Sequence, residues 1–168
     1  SEDHISPKEH ASMEEYLQCK LRLLENSDRA VLCRETAQFD RVYATARRCC
    51  RDVLLVGIER DDCDLTLRRV EKLPHGFRFA VFERGSSVPH PYHLAMDGDF
   101  NLENALAAIG AGRLLGASHE QMAAALDNLV VPGRMNRYEG GGKTVLVDCM
   151  HNRASSQALL TDLKRDYP

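Results

Sequence analysis

A chain of 168 residues, 43% hydrophobic and 28% charged, has the length of about one domain and is too apolar for general disorder. Its formal charge of -3 at pH 7 gives no basic footprint, which argues against a nucleic-acid partner. No apolar run reaches the ~20 residues of a membrane-spanning helix, so a cytoplasmic protein without a membrane partner is expected. The six cysteines, Cys19, Cys33, Cys49, Cys50, Cys63 and Cys149, lack C-x-x-C spacing. Reduced thiols are therefore expected, with Cys49 and Cys50 half-buried at a helix end.

The segment from Asp3 to Leu24 begins as a loop carrying an acid and two histidines, His4 and His10, and then becomes a helix. Ser12 with Glu15 three residues on reads as an S-x-x-E capping box. Met13, Tyr16, Leu17, Leu21 and Leu24 recur at helical spacing and predict a face turned to a core. Lys20 interrupts that face, where a long cation must snorkel outward or do something specific. Taken as isolated residues, His4 and His10 are loop histidines without a ligand.

Glu25 to Asp28 reads as a turn, Arg29 to Arg34 as a short strand, and Thr36 to Arg48 as a helix presenting Phe39, Val42, Tyr43 and Ala46. Asp52 to Ile58 is a continuous apolar run, the pattern of a strand buried on both faces of a parallel sheet. Together these predict a βαβ unit in an α/β sheet. Leu65 to Val70, Phe77 to Phe82 and Tyr92 to Met96 are read as antiparallel strands, either at the edge of that sheet or in a small separate one. His90 and His93 flank Pro91 with no Cys or carboxylate at metal-ligand spacing, and read as solvent-exposed edge histidines.

An alanine-rich helix former runs from Asp97 to Gly112, with Asn101 and Asn104 one turn apart at its start. Two readings stand: one asparagine caps the helix, or the amides recognise a planar ring edge, adenine among them. A second helix follows Ser118, whose capping box is completed by Gln121, and Val131-Pro132-Gly133-Arg134-Met135 then reads as a linker. Gly140-Gly141-Gly142-Lys143-Thr144 is not a phosphate loop, because the first glycine of G-x-x-x-x-G-K-[ST] would fall on Arg137 and a strand follows. A hairpin turn into Val145 to Asp148 is predicted instead. That strand ends at Asp148-Cys149-Met150-His151-Asn152, where α/β sheets place ligand contacts, and a helix is expected from Ser155 or Ser156.

Several of these stretches resemble one family. D-H-I-S-P-K-E-H-A-S-M-E-E-Y-L-Q-C-K, residues 3–20, is similar to the central domain of the muramyl (Mur) ligases, ATP-dependent enzymes that build the peptide of the bacterial cell-wall precursor. The likeness is greatest to the branch adding the third amino acid to UDP-N-acetylmuramoyl-L-alanyl-D-glutamate, in its L-lysine-adding form. This resemblance implies that His4 ligates Mg2+ and that Lys20 is carbamylated, a carboxylate-like group suited to the same ion. G-D-F-N-L-E-N-A-L-A-A, residues 98–108, resembles the pattern whose asparagines approach the adenine of ATP, which implicates Asn101 and Asn104. V-P-G-R-M resembles the junction between central and C-terminal domains, with Arg134 on the nucleotide phosphates; Asn136 stands where an acid is usual. D-C-M-H-N resembles D-Y-A-H-N, implying that Asp148, His151 and Asn152 lie near ribose and phosphates, although Cys149 and Met150 replace an aromatic and a small residue.

The implied fold is α/β: residues 1–131 as the later part of a Mur ligase central-domain sheet with flanking helices, and residues 132–168 as linker and first β-α of a Rossmann-like C-terminal domain. A phosphate loop is expected before Ser1 and the rest of the C-terminal domain after Pro168, so the chain is expected to be a ligase fragment, inactive by itself. The implied partners are ATP, Mg2+, the UDP-MurNAc dipeptide and L-lysine or meso-diaminopimelate, reacting through an acyl phosphate. Self-association through an exposed sheet edge is a further expectation. The rivals are a folylpolyglutamate- or cyanophycin-type ligase and a non-catalytic α/β nucleotide-binding module.

Overall fold

The apolar run Asp52–Ile58 becomes β2, paired in parallel with β1 (Arg29–Cys33) on one side and β3 (Leu65–Lys72) on the other. Leu54, Val56 and Ile58 join one hydrophobic cluster, and Val53 and Leu55 join another. Both faces of β2 are covered, so its sequence shows no polar alternation. The computed structural model describes Ile5 and residues 9–166; His4, one of the expected metal ligands, lies outside the described residues.

β1 and β2 are joined through α2 (Phe39–Cys49), giving the expected βαβ unit. Between β2 and β3 the connection is only residues 59–64, far shorter than the dozen or more that parallel neighbours usually need. The register explains this. Pairing is confined to Val56–Ile58 against Leu65–Leu67, so the chain steps back a short way and β3 then runs on past the end of β2. β4 (Phe77–Glu83) and β5 (His90–Leu94) continue the same sheet in antiparallel fashion, in the order β1-β2-β3-β4-β5. The separate small sheet is thereby excluded. β5 begins two residues earlier than expected and includes Pro91, which an outer strand tolerates because its missing N–H need not join a ladder.

Helices cover both faces. α1 (Met13–Glu25) and α2 lie over Ala30, Leu32, Ala46 and Cys50, with Leu24 packed against them. α3 (Phe100–Leu114) and α4 (His119–Asp127) bury Leu106, Ile109, Met122 and Leu126 against Phe77, Phe79, Val81, Tyr92 and Leu94. The apolar face expected of α1 is only partly realised: Leu21 is buried, whereas Met13 is 48% exposed. The first turn meets α2 through an ion pair instead, with Glu14 accepting from both Arg41 terminal nitrogens at 2.6 and 2.7 Å. α2 starts later than Thr36 because the Thr36 N–H bonds the Cys33 carbonyl in a turn, and Gln38 then enters the helix at φ +60° without a side-chain cap.

After α4, β6 (Asn136–Gly140) and β7 (Lys143–Val147) form the predicted hairpin. Gly141 and Gly142, at φ +58° and +70°, supply the two left-handed residues of a tight turn whose twist suits paired strands. α5 (Arg153–Asp166) begins ahead of Ser155 because Asn152 caps it: its Oδ1 accepts the Ser155 N–H at 2.8 Å. Near its far end Arg165 donates to Asp99 at 2.7 Å, which ties this unit back to the start of α3.

Candidate functional site

Neither asparagine caps α3; the residue before the helix is Asp99, with no side-chain cap bond. Asn101 is buried, and its Nδ2 donates to the Asp97 carbonyl at 2.7 Å. Asn104 Nδ2 donates in turn to Asn101 Oδ1 at 3.2 Å. Both amides line a cavity of about 240 Å³ with Met96, Ala105, Leu129 and Arg134. Ala105 and Ala108 leave room on the helix side of this cavity, and Leu94, Met96 and Leu126 make it apolar. An apolar slot with a few polar groups at its rim suits a planar ring.

Arg134 borders a second cavity as well, about 350 Å³, between His75, Asp97 and the residues of β6. The linker that carries Arg134 is held from below. Asp148 Oδ2 accepts the Met135 N–H at 3.0 Å, the Cys149 N–H bonds the Gly133 carbonyl at 2.8 Å, and Asn136 Oδ1 accepts the Gly133 N–H at 2.5 Å. Asp148 thus supports the arginine's loop, and Asn136, which departs from the usual acid, performs a linker bond that needs only an acceptor. His151 Nδ1 lies 3.0 Å from the Cys149 carbonyl, and Asn152 is occupied as the α5 cap. Asn101, Asn104 and Arg134 therefore share one cleft, whereas Asp148, His151 and Asn152 do not line it.

Lys20 sits in the other helical layer. It is exposed on α1, with Nζ 5.4 Å from the centre of the Tyr16 ring. The His10 ring packs against the same tyrosine at 5.2 Å, and its Nδ1 is buried without a hydrogen-bond partner among the described residues. The amine is open to solvent CO2, and a carbamate there would offer oxygens of the kind Mg2+ takes.

His90 and His93 do lie on the edge strand β5, but both are partly covered. His93 Nδ1 is 2.7 Å from Asp127 Oδ1, and His90 stacks on His119 with ring centres 3.6 Å apart and planes 7° from parallel. α4 covers the edge strand, which no local pattern around Pro91 announces. Glu83, His90 and His119 bring three donor atoms within 4.8 Å of one another. Their chemistry is already taken up, however. Glu83 Oε1 accepts from Arg113 at 2.6 Å and His119 Nδ1 bonds the Tyr92 hydroxyl at 2.5 Å, and near-parallel rings do not converge their lone pairs on one ion. The cluster is structural.

The residues that sequence reasoning missed are Lys72 and Asp97. The Asp97 carboxylate, 9% exposed, accepts from Lys72 Nζ at 2.8 Å and from the Gly76 N–H at 2.9 Å. Lys72 falls in a strand with no cleft signal, and only the D-G-D-F-N context before the asparagines hints at Asp97.

Sheet and helices define an α/β domain, and the cavity lined by Asn101, Asn104 and Arg134 lies where the sheet meets the segment that follows α4. A family profile described as the Mur ligase middle domain matches residues 1–112, and the chain belongs to that family. It is similar to a UDP-N-acetylmuramyl-tripeptide synthetase of Lactobacillus acidophilus, 34% identical over 99% of this chain and 35% of that protein. It is likewise similar to a UDP-N-acetylmuramoyl-L-alanyl-D-glutamate–L-lysine ligase of Enterococcus faecalis, 34% identical over 99% of this chain and 33% of that protein. The chain spans about a third of the length of these relatives. A solved UDP-N-acetylmuramoyl-L-alanyl-D-glutamate–2,6-diaminopimelate ligase shares the fold with a TM-score of 0.79 at 23% identity, over 98% of this chain and 34% of that one.

Proposed function

We propose that this chain is the nucleotide-handling part of an ATP-dependent ligase that adds the third amino acid, L-lysine before meso-diaminopimelate, to UDP-N-acetylmuramoyl-L-alanyl-D-glutamate. The observation that carries the reading is the shared cleft of Asn101, Asn104 and Arg134. An apolar slot takes the base, the amides meet its edge, and an always-charged guanidinium at the mouth suits the phosphates. Residues up to 131 act as the central domain, and residues from 132 as the linker and start of the next. ATP supplies the phosphoryl group that activates the D-glutamate carboxylate as an acyl phosphate, leaving ADP; the incoming amine then attacks the acyl carbon and expels inorganic phosphate. Lys20 as a carbamate, with His4, would hold Mg2+, whose charge offsets that of the phosphoryl oxygens. Asp148 keeps the Arg134 loop in place through the Met135 N–H, and His151 follows three residues later in the same loop.

The test is phosphate release by the protein that carries this chain, supplied with ATP, Mg2+, the UDP-MurNAc dipeptide and either L-lysine or diaminopimelate. Release that requires all four components, prefers L-lysine, and falls at least about a hundredfold in Arg134→Ala and Lys20→Ala supports the proposal. Release indifferent to the dipeptide argues for another ligase. Self-association through the outer edge of β1 belongs to the same proposal, and sedimentation showing only monomer at high concentration argues against it.

A further inference from the structure

We infer that the ion pair between Lys72 and the buried Asp97 is a positioning device that sets which atom Asn104 shows to the cleft, so that the cleft accepts a ring bearing an amino group and disfavours one bearing an oxo group. The inference rests on the nucleotide reading above. The chain of bonds starts at a main-chain atom that cannot be turned round. The Asp97 carbonyl can only accept, so the Asn101 amide must direct Nδ2 toward it, at 2.7 Å. Asn101 Oδ1 then faces Asn104, which must donate its own Nδ2, at 3.2 Å. Asn104 is left with Oδ1 and one N–H for the cavity it lines.

Residue 97 is fixed from two other places in the fold. Lys72 reaches its carboxylate from the end of β3, and the Gly76 N–H reaches it from the turn before β4. Neither Lys72 nor Asp97 lines the slot beside Asn104, so both act through the asparagines. A 6-amino ring donates an N–H to the free Oδ1. A 6-oxo ring in the same pose places acceptor against acceptor and has to shift to reach the remaining Asn104 N–H.

ATP and ITP, alike except for that one group, are the probes. Dissociation constants are measured by calorimetry on the protein and on Lys72→Met, Asp97→Asn and Asn104→Leu, with circular dichroism to check folding. The expected result is at least about tenfold tighter binding of ATP by the unaltered protein. In all three variants that ratio falls toward one, chiefly through weaker ATP binding. If the Lys72 and Asp97 variants fold and keep the full ratio, the positioning role is wrong while the nucleotide reading stands. If they unfold, Asn104→Leu at an exposed position decides: an unchanged ratio there overturns the inference. Equal affinity of the unaltered protein for ATP and ITP also overturns it. Binding of neither removes the nucleotide reading itself.

Discussion

Gly76 is where the cleft's supports come closest to one another. It sits at φ +76°, and a Cβ there would lie 1.9 Å from the Leu94 carbonyl oxygen. Gly76→Ala is expected to cost about 3 kcal/mol or more, since strained backbone and a main-chain clash add. Gly141→Ala has a similar φ of +58° but open space around it, and should cost only about 1 kcal/mol. Urea midpoints separate the two; equal losses would mean that the Leu94 carbonyl can yield. Thiol chemistry gives a second contrast. Burial, with Asp62 and Glu35 adding, pushes the Cys63 thiol up to about 11, while Cys149 is exposed in the loop after β7. Ellman's reagent at pH 8 should modify Cys149 in the folded protein and reach Cys63 only on unfolding; rapid modification of Cys63 in Cys149→Ser would refute this. At this scale the one-turn spacing of Asn101 and Asn104 left a cap and a ring-edge contact open, and the resemblance of residues 98–108 singled them out; the structure puts both on one cavity. The direction of their amides was not legible, because a carbonyl four residues upstream decides it, and nothing in helical periodicity marks that carbonyl's own anchor at Lys72.

Elements were legible where local chemistry decided them. The β2 run, the Gly141-Gly142 hairpin and the reciprocal capping box of Ser118 and Gln121 all formed as the residue pattern requires. What stayed open or was misplaced shares another cause. Whether β3 to β5 extend the first sheet depends on the register of β2 with β3, and the start of α2 depends on the turn that consumes the Thr36 N–H. Both are tertiary facts. α5 offers a test of cap against ligand. Asn152 Oδ1 accepts the Ser155 N–H at 2.8 Å, and Ser155 Oγ returns a bond to the Asn152 N–H at 3.3 Å. Asn152→Ala should cost about 1 kcal/mol, and Asn152→Ser should restore most of it without changing ATP affinity. A restored helix with affinity still reduced several-fold would show that the amide also meets the nucleotide.

The whole molecule depends on how the antiparallel half of the sheet is tied to α3 and α4, and that tie is titratable. Glu83 on β4 holds Arg113 near the end of α3 and His119 at the start of α4, with His90 and Tyr92 of β5 against the same imidazole. Burial raises Tyr92 to about 12, so its hydroxyl keeps its proton and donates to His119 Nδ1. The Nε2–H then faces Glu83, 3.2 Å away. Burial is also the largest influence on His119, holding it below its ordinary 6.5; the bond to Glu83 opposes this, while His90 and Arg113 reinforce it. Glu83 is held below its ordinary 4.5 chiefly by the His119 hydrogen bond, burial opposing and Arg113 assisting. The signs agree. As pH falls through 6.5 the unfolded chain binds a proton at this histidine that the folded one resists, so stability present in full above 6.5 begins to drain away. As pH falls through 4.5 and below, Glu83 loses in the same direction, since the unfolded carboxylate protonates first. Melting temperature should therefore be level from pH 8 to about 7 and decline in two successive limbs below. His119→Gln, which keeps a donor toward Glu83 but cannot titrate, should flatten the upper limb and leave the lower one. Fluorimetric melting curves of the two proteins across that range decide the matter: an upper limb just as steep in His119→Gln would place the acid sensitivity elsewhere in the fold.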